Sequence, residues 1–200
     1  MKKILVLYYS RHGSVAEMAN HIARGVESVE NCEALLRTVP AVSAVNEAVE
    51  ATIPSTGDIY ASLDDLEHCD GLLLGSPTRF GTIAAPLKFF FDQSAPQWLS
   101  GTLNDKPAGV FTSSGSMHGG QESTLLGMML PLIHHGMLLV GLPFAGTALS
   151  HTDRGGTPYG ASHVAGGDNN AAFSKDEIQL CQVLGRRVAA AAAALDGAKL

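Results

Sequence analysis

The chain has 200 residues, 46% of them hydrophobic and only 16% charged, with Gly at 22 and Pro at 9. That length predicts one domain spanning residues 1–200 and able to bury roughly 70% of the surface its unfolded chain exposes, and the composition excludes a largely disordered chain. A net charge of −6, with no basic run longer than two residues, excludes the electrostatic footprint of a nucleic-acid binder.

Lys3 to Tyr9 is a continuous apolar run without period-two alternation, the pattern of a parallel strand covered on both faces. After the polar segment Ser10 to Ser14, the residues Val15, Met18, Ala19, Ile22, Ala23 and Val26 recur at helical spacing and predict an amphipathic helix. Glu33 to Val39 reads as a second strand and Leu72 to Gly75 as a third. Between them, 40–70 is a long excursion with one short helix near Ser62 to His68, opened by a cap-like Ser62-x-x-Asp65. Pro86 to Asp92 begins a helix with Pro in its first turn. Ala108 to Thr112 is the fourth strand, followed by a helix with Leu125, Met128, Met129, Leu132 and Ile133 on one face. Met137 to Leu142 is the fifth strand. A second long excursion, 146–170, leads to the Ser174-Lys-Asp-Glu177 capping box of a last helix that turns Ile178, Cys181, Leu184 and Val188 inward. Its Ala-rich end is expected to fray.

Strands alternating with helices imply an α/β fold, a parallel sheet with helices on both faces. Ligands of such sheets sit beyond the carboxyl ends of the strands. Three of those ends carry the densest Ser, Thr and Gly clusters of this chain. Ser10, Arg11, His12, Gly13, Ser14 and Val15 combine hydroxyls with a helix start, which suits a phosphate. The loop lacks the Walker lysine and the GxGxxG spacing, so a monophosphate fits better than a triphosphate or a dinucleotide. The other reading is a helix whose own serines cap it. Pro77, Thr78, Arg79, Phe80 and Gly81 offer backbone polar groups, a guanidinium and a ring, a combination suited to a flat heteroaromatic. Ser113, Ser114, Gly115, Ser116, Met117, His118 and Gly119 let backbone approach a ligand. Three such loops together make a flavin nucleotide the leading candidate. Trp98, the only Trp, is either a platform for a flat substrate or an anchor in a subunit contact, and His134 at a helix end is either structural or part of the site.

No HExxH or GxSxG pattern occurs, so neither a metal nor a serine nucleophile is expected. Cys32, Cys69 and Cys181 form no CxxC pair, which predicts a reduced, cytoplasmic protein. The run from Ile4 to Tyr9 is too short for a signal peptide core, and no stretch reaches 18 apolar residues, so no membrane span is expected.

Along nearly its full length the chain resembles the flavodoxin-like NAD(P)H:quinone oxidoreductases of the WrbA type. The strings that carry the resemblance are LVLYYSRHGSVAEMA (5–19), GSPTRFG (75–81), FFFDQ (89–93) before Trp98, HGGQE (118–122), HHGM (134–137) and GGTPYGASHVAGGD (155–168). The resemblance implies a flavodoxin-like, doubly wound, five-stranded parallel sheet in the order 2-1-3-4-5. It implies one FMN per monomer, with Ser10 to Val15 at the phosphate, Pro77 to Gly81 at the ring, Ser113 to Gly119 along the ring edge, and His134 contributed across a subunit contact. Trp98 falls at the substrate face and His12 at the nicotinamide. The chain departs from the family pattern at His12, where the family has Tyr, and at Met117-His118, which replace a Gly-only stretch. The implied activity is two-electron transfer from NAD(P)H to a quinone with ping-pong kinetics, in a homotetramer. The alternatives are a flavodoxin-type electron carrier and a regulatory flavin-binding protein; low charge and the two excursions argue against the carrier.

Overall fold

The structure, a computed structural model, describes residues 1–42 and 56–195; the part of the first excursion at 43–55 lies outside the described residues. Strand β1 (Lys2–Tyr8) leads through a loop into α1 (Ser14–Glu27), then β2 (Cys32–Thr38), α2 (Leu63–His68) and β3 (Gly71–Pro77). Two helices, α3 (Ala85–Asp92) and α4 (Ala95–Leu99), precede β4 (Pro107–Ser114) and α5 (Gln121–His134). The chain closes with β5 (Leu138–Leu139), β6 (Ala161–Val164) and α6 (Lys175–Ala194), the last remaining helical through its alanines. All pairings are parallel, in the order β2-β1-β3-β4-β5, with β6 also on β4.

The continuous apolar run of β1 has a direct cause. Ile4, Val6 and Tyr8 point into a core shared with α1 and α6, while Leu5 and Leu7 point into a second core with α2, α3 and α5. Side chains alternate across a strand, so a strand covered on both faces must be apolar at every position. Leu73 against Leu72 and Leu74 repeats the division in β3. On the first face, α1 and α6 meet backbone to backbone: a Cβ on Gly25 would overlap the Gln182 carbonyl, and one on Gly185 would overlap the Ile22 carbonyl.

The fifth strand differs from the sequence expectation. Only Leu138 and Leu139 of Met137 to Leu142 pair with β4, at Pro107 and Ala108. The chain leaves the sheet at Gly141, and β6 takes the vacated edge beside Phe111 to Ser114. One strand position is thus filled by two short strands separated by the second excursion. On α5, Leu125, Met128 and Leu132 are buried as expected, whereas Ile133 is half exposed.

The excursion is fastened by one carboxylate. Glu177, fully buried, accepts from the N–H groups of Gly155 (3.3 Å), Val164 (3.1 Å) and Ser174 (2.8 Å), and its Oε1 lies 3.1 Å from Nδ1 of the buried His163. The His163 ring stacks on Phe173 with centroids 3.8 Å apart. Burial alone would raise the Glu177 carboxyl, but the hydrogen bonds from His163, Ser174 and Val164 outweigh it and bring the pKa down to about 2.

A carboxyl lowered on folding stabilises the native state at pH values above its ordinary range and loses that contribution as pH falls. Here the loss begins near 4.5 and runs down to about 2, and it amounts to roughly 3 kcal/mol. Glu177→Ala is expected to cost on the order of 3 kcal/mol at pH 7 and to flatten the acid limb of a stability-against-pH curve measured by urea unfolding.

Candidate active site

The carboxyl ends of β1, β3 and β4 open on a cleft, the place where ligands of such sheets bind. Its lining draws on all three predicted loops: Ser10, Arg11, His12, Ser14 and Val15 from the first, Pro77, Thr78 and Arg79 from the second, and Ser113, Ser114 and Gly115 from the third. Gly13, Phe80, Gly81, Ser116, Met117, His118 and Gly119 sit on the same loops without lining the cleft. Asn169, on the turn between β6 and α6, lines it as well. Nothing in the sequence pattern marked Asn169, because its place depends on β6 returning to the sheet edge.

The first loop discriminates between its two readings. No side chain caps α1, so its first-turn N–H groups are not spent on Ser10 or Ser14. Ser10 Oγ is shielded from solvent and has no hydrogen-bond partner. Uncapped N–H groups at the positive end of a helix dipole, beside an orphan hydroxyl, are the kind of donors that suit an anion. A phosphate monoester supplies the acceptors that both lack.

The second loop is held from behind. Ser76 Oγ accepts the Ala84 N–H at 2.9 Å and donates to the Pro77 carbonyl, and Thr112 donates to the Ser76 carbonyl at 2.8 Å. Thr124 of α5 donates to Thr78 Oγ1 at 2.8 Å, and the Thr78 N–H reaches the Ser113 carbonyl at 3.0 Å, tying the second loop to the third. Beyond Thr78, Arg79 and Thr82 exchange backbone hydrogen bonds of 2.9 and 3.1 Å around Phe80 (φ 52°) and Gly81 (φ 77°). Two positive φ angles in a two-residue loop are the mark of a type I′ turn, which disfavours a residue such as Phe. The Phe80 ring is fully exposed.

The structure does not bring Trp98 and His134 into this cleft. Both line another groove, between α3, α4 and the end of α5. Trp98 Nε1 donates to the His134 carbonyl at 2.8 Å, and the half-exposed indole rides on α4, an element absent from the sequence expectations. Behind it, Ser94 donates to the Phe91 carbonyl at 2.7 Å and meets His135 Nε2 at 3.0 Å. Burial, with the neighbouring His134, lowers the His135 pKa and keeps its imidazole neutral. Among the described residues no cluster of His, Cys, Asp or Glu could hold a metal, and no helix is long and apolar enough to cross a membrane.

The family model described as NADPH-dependent FMN reductase matches residues 2–148. The chain is 40% identical to a NAD(P)H dehydrogenase (quinone) of Geobacter sulfurreducens over 97% of its own length and 99% of the relative's. It is 41% identical to one of Chromohalobacter salexigens, with 98% and 100% covered. The chain belongs to the NAD(P)H dehydrogenase (quinone) family. Solved structures share its fold: a WrbA-like flavodoxin of Agrobacterium tumefaciens superposes with a TM-score of 0.68 at 25% identity, covering 97% of this chain and 99% of that one. An archaeal flavodoxin at 20% identity, TM-score 0.62, shares the fold. This member of the NAD(P)H dehydrogenase (quinone) family is accordingly an oxidoreductase with FMN as its cofactor.

Because Ser10 Oγ has no hydrogen-bond partner among the described residues, Ser10→Ala should leave the melting temperature unchanged. FMN binding should weaken roughly tenfold or more, the usual worth of a hydrogen bond to a charged group, while riboflavin, which lacks the phosphate, binds as before. Fluorescence titration of the apoprotein with both flavins measures the contrast.

Proposed function

We propose that the chain transfers two electrons from NAD(P)H to a quinone, using one FMN per protomer in the cleft of the three loops. The observation that carries this reading is the uncapped start of α1 beside the orphaned Ser10 hydroxyl, at the end of a cleft whose other walls are the Pro77–Gly81 and Ser113–Gly119 loops. Bound FMN would supply the redox chemistry, accepting hydride from NAD(P)H and returning two electrons to the quinone. Ser10 to Val15 hold the phosphate through N–H groups and hydroxyls. Thr78 and the backbone around Arg79 hold the ring, and the guanidinium, one of whose N–H groups is engaged by the Thr78 carbonyl at 3.0 Å, places a positive charge beside it. Ser113 to Gly119 supply the ring-edge contacts. Phe80, exposed on its strained turn, and His12 flank the opening to the nicotinamide.

His134 and Trp98 face a different groove of the same protomer, so their part in the reaction requires a neighbouring subunit. The exposed Phe89, Leu99, Leu130 and Ile133 on the same three helices support such a contact, and we read the assembly as a homotetramer in which Trp98 of one protomer covers the opening of another. The relatives' name favours quinone as acceptor. NAD(P)H and quinone would then take turns at one face of the flavin.

Purified protein supplied with FMN should oxidise NADH or NADPH steadily once benzoquinone is present, with parallel lines in double-reciprocal plots. Turnover no faster than that of free FMN overturns the proposal, and intersecting lines remove the shared face. Trp98→Ala should raise the quinone KM several-fold with a smaller change in kcat.

A further inference from the structure

Gln121 opens α5, and the reading above gives it no role. Its side chain is 4% exposed. Nε2 donates to the Ser116 carbonyl at 3.0 Å, and the same oxygen receives the Ser114 hydroxyl at 2.9 Å and the Gly119 N–H at 3.1 Å. A carbonyl oxygen has two lone pairs, so three donors saturate it and fix the path of the chain from Ser114 to Gly119. The path is a costly one. His118 stands at φ 54° in the turn from Ser116 to Gly119, a conformation that favours Gly or Asn, and a Cβ on Gly119 would press on the Ser116 carbonyl at 2.8 Å.

Two further observations separate this arrangement from ordinary packing. Gln121 Oε1 is buried with no partner, a cost that an apolar residue of the same size would avoid. Ser114 lines the cleft, and its only hydrogen is committed to Ser116. Its Oγ therefore offers lone pairs alone to whatever occupies the cleft.

We propose that Gln121 is a positioning residue for the cofactor: by completing the set of donors on the Ser116 carbonyl it holds the third loop and keeps that oxygen where the Ser114 hydroxyl donates to it, which leaves Ser114 Oγ only lone pairs to offer. Ser114 then recognises a ligand hydroxyl or ring N–H and turns away phosphate oxygens. The inference rests on FMN occupying the cleft as proposed above.

The test is a double-mutant cycle on the full chain, with FMN and riboflavin titrated into apoprotein and followed by flavin fluorescence and visible circular dichroism. Gln121→Met should melt near the wild-type temperature and bind both flavins about tenfold more weakly, with an altered dichroism of the bound ring. Losing equal factors for the two flavins places the effect away from the phosphate. Adding Ser114→Ala should cost Gln121→Met little more, because the two residues act through one oxygen. Should the Met variant not fold, Gln121→Asn, which keeps the amide one methylene short of Ser116, should show the same equal losses. Wild-type affinity for both flavins in a folded variant, or additive losses in the double mutant, overturns the inference. Failure of the wild-type chain to bind FMN overturns instead the function on which it rests.

Discussion

A parallel sheet buried on both faces leaves no room for polar side chains except at the ends of its strands. In this chain Leu5, Leu7, Leu72 and Leu74 fill one side and Ile4, Val6 and Leu73 the other, so polarity begins where the central strands β1 and β3 end. The strands pair in parallel, so each crossover returns the chain to the same end of the sheet. The carboxyl ends of β1, β3 and β4 are therefore adjacent, and polar residues far apart in sequence, Ser10, Thr78 and Ser114, meet in one cleft. The dry interior and the wet site are consequences of the same constraint.

The edge of the sheet imposes a second requirement. Because β5 covers only the first part of β4, the second part needs another partner, and β6 supplies it with His163 opposite Ser113 and Val164 opposite Ser114. Two residues that line the cleft are thus backed by a strand that returns from an excursion of some twenty residues. Glu177 makes that return specific: it binds Gly155 before β6, Val164 within it and Ser174 after it. A buried carboxylate with three N–H donors tolerates no slippage of β6, since a shift of one residue would strand the charge without its partners. Asn169 reaches the cleft from the turn that follows, so Glu177 shapes the site from across the first core without touching it.

The parts legible in the sequence are those with a local cause. The β1 run reads as a doubly covered strand because both cores demand apolar residues, and α1 shows its stripe because one face meets the sheet. The capping boxes at Ser62 and Ser174 are written in four residues each, and both form. The three cleft loops could be read because they combine composition with position at strand ends. The split edge strand could not: Ala161-Ser-His-Val carries no long apolar run, and its pairing depends on Glu177 and on β5 ending early. Ile133 obeyed the helical spacing yet stands half exposed, since periodicity reports a stripe without saying how wide the buried part is. Gln121 and Asn169 escaped notice for a related reason, as their roles depend on contacts with a loop or a strand assembled from elsewhere.

Backbone strain in the second and third cleft loops follows from the same geometry. Phe80 and His118 both take positive φ, at 52° and 54°, and each costs on the order of 1 kcal/mol or more relative to a glycine at the same position. Gly81 and Gly119 stand directly after them, so each loop already spends a glycine on its turn and still keeps a bulky residue in the disfavoured place. Phe80 gains nothing from burial, because its ring lies in solvent; its turn is closed by the two backbone hydrogen bonds between Arg79 and Thr82. For His118 the restraint comes from behind, where Ser114, Gly119 and Gln121 share the Ser116 carbonyl. The two turns are held by different means, one by the paired backbone hydrogen bonds of Arg79 and Thr82 across it and the other by three donors on a single carbonyl, and the second clamp lies beside Ser114 in the wall of the cleft.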